Sequence, residues 1–173
     1  MKLATRTRDL ALVSFASLSV GFAAGWWLAS QEPGATGAAA TTGAPHAVGA
    51  AEHVQLGEMS LEAGDFSAAE AYFREALELE PGSAQARAEL GAALLLQGRY
   101  DEARDELETA RETNPENPEA WFFSGLLWRD GYGDADRARE AWGRFLTLMP
   151  AESEPAATVR GWLAELDSAP AGP

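Results

Sequence analysis

Residues 64–81 read GDFSAAEAYFREALELEP and residues 98–115 read GRYDEARDELETARETNP, two stretches 34 positions apart that match in kind more than in identity. Extending that period along the chain brings Gly57, Gly91 and Gly125 into register. Leu56 then pairs with Leu90, Gly64 with Gly98, Phe66 with Tyr100, Ala69 with Ala103, Phe73 with Leu107, Ala76 with Ala110 and Pro81 with Pro115. A third copy follows one residue late in its second half, with Ala138, Trp142 and Pro150. The extra residue is assigned to Asp130–Asp134, a loop where an insertion costs little. A unit this short cannot bury its apolar face alone, so a sustained period of this length requires stacked supersecondary units sharing one core.

Each recurring residue has a mechanical reason. The register glycines let a neighbouring helix approach closely, and Ala69, Ala103 and Ala138 do the same from the opposite side. Phe73, Leu107 and Trp142 fill the space between layers. Gly64 and Gly98 suit a tight turn that needs positive φ. Ser67, Asp101 and Asp136 read as N-caps, with Ser67-Ala-Ala-Glu70 as a capping box. Pro81, Pro115 and Pro150 stop the second helix of each pair. Beyond Pro150, Ser153 and Pro155 open one more helix with Val159, Trp162, Leu163 and Leu166 at helical spacing, as expected of the cap that closes a repeat array.

Together these positions resemble the tetratricopeptide repeat, whose pattern is W-x2-L-G-x2-Y, then A-x3-F, then P, over about 34 residues. The similarity divides the chain into repeats at about 50–83, 84–117 and 118–152, a cap helix at 153–168 and a tail at 169–173. The third copy carries Trp121, Gly125, Trp128, Ala138 and Trp142. His53 and Arg87 depart from the family's Trp, Ser124 from its Leu, and Phe145 from its usual small residue. The resemblance implies an all-α, three-repeat solenoid whose first helices line a concave groove. Carried over residue by residue, the groove positions are Val54, Glu58 and Leu61, then Gln85, Ala88, Ala92, Leu95 and Leu96, then Phe122, Leu126 and Arg129. Glu119 and Asp130 fall near its edges. Family members that grip a C-terminal carboxylate use Lys and Asn at positions held here by Val54, Glu58, Ala88 and Ala92, so that mode is not expected. A mostly apolar groove with Phe122 as anchor suits a partner's amphipathic helix or extended segment. The alternatives are that these side chains are core, or that the chain's own linker fills the groove. The second helices carry dense acid interspersed with Arg74, Arg104 and Arg111, which reads as a solvated face with i,i+4 pairing.

The start of the chain has a different composition. Lys2, Arg6 and Arg8 precede Leu10–Ala29, twenty residues without a charge that end on Trp26, Trp27, Leu28 and Ala29. As a helix this run is about 30 Å long, enough to cross a bilayer's hydrocarbon core. The basic residues before it place residues 1–9 in the cytoplasm and the rest of the chain outside. Residues 10–30 are therefore expected to anchor the protein in the cell membrane, with a cleaved signal peptide or a buried soluble helix as the other readings. Residues 31–50, rich in Ala, Gly, Thr and Pro, make a tether reaching about 25 Å.

The chain holds 13 Lys and Arg against 27 Asp and Glu, a net charge of −14, and after residue 30 it has no Lys. Such acidity disfavours nucleic acid as a partner. With no cysteine, thiolate metal sites, iron–sulfur clusters and covalent haem attachment are excluded. No nucleophilic triad spacing, phosphate loop or dinucleotide fingerprint is present, so no enzyme and no cofactor are expected. His46 reads as a solvated linker residue, and Asp130–Asp136 as a capped turn lacking the ligand alternation of a calcium loop. The expectation is a membrane-tethered scaffold that recruits or organises another protein. The layout, and residues 141–166 in particular, are also similar to assembly factors of cytochrome c maturation, which hold apocytochrome. Self-association through the groove is a third reading.

Overall fold

The structure is a computed structural model and describes residues 49–168. Leu10–Ala29, the linker before residue 49 and the tail after residue 168 lie outside the described residues. Among the described residues no helix is long and apolar enough to cross a membrane.

Seven helices and no strand are found among these residues: α1 (Ala50–Glu62), α2 (Phe66–Leu79), α3 (Ala84–Leu96), α4 (Tyr100–Thr113), α5 (Pro118–Leu126), α6 (Ala135–Leu148) and α7 (Glu154–Ser168). A π-helical turn, Leu127–Tyr132, continues α5. The helices form antiparallel pairs, α1 with α2, α3 with α4 and α5 with α6, and α7 packs on α6. Successive pairs join in two ways. Each second helix packs on the next first helix, α2 on α3 and α4 on α5, while α3 also touches α1 and α5 directly. First helices thus stand side by side, which gives the array an inner face.

The register glycines explain why each pair closes tightly. A Cβ on Gly57 would stand 2.7 Å from Phe73 Cζ, and one on Gly91 would stand 2.6 Å from Leu107 Cγ. One on Gly125 would overlap the Trp142 indole. Phe73, Leu107 and Trp142 are all essentially inaccessible, as are Ala69, Ala103 and Ala138 beside them. Burying each of the three large side chains contributes about 2–3 kcal/mol. Ten of the thirteen α3 residues are buried, because neighbours surround this helix on nearly every side.

The helix starts differ from expectation. Asp65 and Asp134 cap α2 and α6, their carboxylates accepting from the N–H groups of Ala68 and Arg137 at 3.0 Å. Arg99 holds the equivalent place at α4 with no side-chain cap. Ser67, Asp101 and Asp136 sit two residues further in, so they are first-turn residues and the Ser67 capping box is not formed. The side-chain caps of α3 and α5 are Ser83 and Asn117.

The extra residue of the third repeat is also placed differently. The first two pairs turn on Gly64 and Gly98, both at φ +77°, and the third turns on Gly133 at φ +69°. The segment before Gly133 is helical, widened to π geometry, so the insertion sits inside the helix, in keeping with the π-turn as a local bulge. Asp134 N–H donates to Trp128 O at 2.7 Å across this end.

Candidate protein-interaction groove

The inner face is built by α1, α3 and α5. The residues expected there differ in accessibility. Gln85 is exposed, and Val54, Glu58, Leu96 and Arg129 are half-buried. Leu61, Ala88, Ala92, Leu95, Phe122 and Leu126 are buried. The alanines keep the helices close, and their lack of reach leaves the face smooth.

Phe122 is not an open anchor, since it is only 6% exposed. Its cover is the chain's own C-terminal helix. The Trp162 ring of α7 lies 5.9 Å from Phe122 and 5.2 Å from Trp142, and Phe145 stands 5.4 Å from Phe122. Arg129 seals the edge, with its guanidinium 4.6 Å from the Trp162 ring centre and 5.1 Å from that of Trp142. Asp130 fixes the guanidinium through paired hydrogen bonds of 2.6 and 2.7 Å. The cap therefore closes the α5 end of the face, and what remains accessible lies towards α1 and α3. The Phe145 departure from a small residue follows from this, because the bulky ring completes the aromatic cluster under the cap.

Three acids on this face have shifted ionisation. Burial, then the charge of Glu58, pushes Glu119 up to about 8. Burial, then Glu119 and Glu58, raises Glu89 well above the carboxylate range. Burial and the neighbouring Glu62 raise Glu58. The repeat pattern alone puts Glu119 only at the edge and does not single out Glu89. The available signal is a carboxylate inside AQARAELGAALLL, a helix otherwise apolar beyond Arg87.

The outer helices behave as a solvated, internally paired surface. At the junction of the first two pairs, burial pushes Glu70 up, but hydrogen bonds from Gln97, Arg74 and Arg99 outweigh it and hold the carboxyl at about 2. Gln97 Nε2 donates at 2.8 Å and Arg99 at 2.6 Å, so this one carboxylate ties α2 to the α3–α4 turn. Elsewhere an open hollow of about 180 Å³ lies between Arg111, Trp121, Trp128, Arg137, Glu140 and Ala141. No group of acidic or histidine side chains able to hold a metal occurs among the described residues, Asp130–Asp136 included.

The fold is that of a tetratricopeptide-like solenoid of helix pairs. The Tetratricopeptide repeat family model matches residues 60–123. Cellulose synthase operon protein C of Komagataeibacter xylinus is 34% identical over 110 residues, covering 58% of this chain and 8% of that protein's own length. Among solved structures, the translocator chaperone SycD of Yersinia enterocolitica (alternative dimer) superposes with a TM-score of 0.62 at 18% identity, covering 68% of this chain and 91% of the other. The TPR2B domain of yeast Sti1, solved as a pHsp70 complex, gives 0.61 at 19% identity with coverages of 68% and 95%. PcrH, solved with the chaperone-binding region of PopD, gives 0.60 at 21% with coverages of 68% and 90%.

Proposed function

We propose that the protein is a membrane-tethered interaction module whose inner face receives a segment of another protein outside the cytoplasm. The observation that carries this reading is the side-by-side placement of α1, α3 and α5. It leaves Val54, Glu58, Gln85 and Leu96 accessible above a floor of buried alanine and leucine. A smooth apolar floor with accessible polar margins suits a helical or extended polypeptide. Sti1 and PcrH carry peptide or protein partners on the same fold, which supports the assignment by analogy. The tether rests on the uncharged run Leu10–Ala29 and the basic residues before it.

Photo-crosslinking in cells tests the groove. A photoreactive residue at Val54, Gln85 or Leu96 should give adducts with another protein, and one at the exposed Glu108 of α4 should not. Equal adducts from both faces would refute the groove. Retention in the membrane pellet after alkaline carbonate, lost on deleting residues 10–29, tests the tether.

A further inference from the structure

Three carboxylates lie in one oblique row across the inner face. Counted from the register glycines, Glu58 stands one residue after Gly57 on α1, Glu89 two before Gly91 on α3, and Glu119 six before Gly125 on α5. Because α3 touches both α1 and α5, Glu89 stands on the helix between those that carry Glu58 and Glu119; Glu58 raises the proton affinity of both, and Glu119 that of Glu89. Glu89 and Glu119 are only 7% and 8% exposed. Glu119 Oε2 is fully enclosed and has no hydrogen-bond partner among the described residues.

The outer helices pair their acids with arginine, as at Glu70–Arg74 and Glu106–Arg87. Among the described residues no ion pair reaches Glu58, Glu89 or Glu119. Buried carboxylates without a countercharge oppose folding. Apolar side chains of similar size would serve the core better, and a cation arriving from outside would supply the countercharge that the row lacks. Metal is the weaker candidate, because no group of side chains able to hold one occurs among these residues.

We infer that the row Glu58–Glu89–Glu119 is a subsite for a lysine or arginine side chain carried by an otherwise apolar segment of the partner. This rests on the inner face being the binding face, as proposed above. It inverts the charge logic of a groove that holds a carboxylate. An apolar segment matches the alanine and leucine floor, and its one basic side chain supplies the charge the row lacks.

The charges acting on the row are its own members and Glu62 of α1. All of them raise its proton affinity, so near neutral pH the unliganded row retains protons that an arriving cation displaces. Binding therefore strengthens as pH rises.

The experiment is selection of a randomised, displayed 12-residue peptide library on the full chain, in parallel with the triple variant E58Q/E89Q/E119Q. Glutamine replaces a protonated carboxyl without a change of shape, so the variant keeps the fold; circular dichroism checks this. The expected result is enrichment of peptides with one Lys or Arg among apolar residues, lost on the triple variant. The best such peptide should bind at least tenfold tighter at pH 8.5 than at pH 6. Enrichment without a basic preference, or unchanged on the triple variant, overturns the subsite and leaves the groove standing. No enrichment on either protein overturns both.

Discussion

Replacing Gly125 with alanine tests how the repeats are closed. The added Cβ would stand 2.5 Å from Trp142 Cε2 and closer still to Nε1 and Cδ1. Trp142 has nowhere to go, since it is wholly buried, lies 5.2 Å from the Trp162 ring, and donates its indole N–H to Phe122 O at 3.1 Å. Overpacking of this kind costs about 1–3 kcal/mol. Displacing the indole from its buried acceptor adds about 1–3 kcal/mol. Alanine returns about 1 kcal/mol through its better helix propensity. The net is a loss of about 1–5 kcal/mol, a large part of the roughly 5–15 kcal/mol that holds such a domain together. Gly143 is the control, because it lies in α6 with nothing within 4 Å of the place an alanine methyl would take. Gly143→Ala should therefore stabilise by up to about 1 kcal/mol. Urea unfolding of the full chain, followed by tryptophan fluorescence and far-ultraviolet circular dichroism, should show midpoints moving in opposite directions. A Gly125→Ala variant as stable as Gly143→Ala would refute the close-approach account.

Three further outcomes are expected. Glu119 carries a folded pKa of about 8, above its ordinary 4.5, so its carboxyl costs nothing below pH 4.5 and progressively more as pH rises to 8. Glu119→Gln should match wild type in stability at pH 4 and exceed it at pH 8 by up to about 4 kcal/mol, measured by urea titration. Glu70 is shifted the other way, to about 2, so its contribution is present above pH 4.5 and lost as pH falls towards 2. Allowing for solvent screening at this surface junction, Glu70→Gln should cost about 1–2 kcal/mol at pH 7, with the difference vanishing near pH 2 in thermal melts. Trp162→Ala should cost about 2–3 kcal/mol and expose Phe122, read as a lower melting temperature and increased binding of an apolar fluorescent dye.

The repeat period, the helix pairs and the glycine–bulky contacts were legible because close packing leaves few choices at those positions. Pro81, Pro115 and Pro150 marked helix ends correctly, since each lies two residues beyond the last helical residue. The starts were less legible. Asp65 and Ser67 are both good capping residues in one short stretch, and only the turn geometry at Gly64 selects the former. Phe122 showed the right periodicity for the inner face, but its cover comes from Trp162, forty positions away, and no local pattern announces that. Glu89 stayed hidden because helical spacing alone does not separate a charge on a margin from one between two neighbouring helices.

The π-helical turn at Leu127–Tyr132 has a consequence for how such an array tolerates change. Adding one residue to an α-helix rotates everything downstream by about 100°, which would swing Trp142 away from Gly125. Here a single wide turn absorbs the addition, and α6 meets α5 on the same side as its counterparts do in the other pairs. The junction works as a slack link, able to give up a residue as readily as it took one in, while the helices on either side stay in gear.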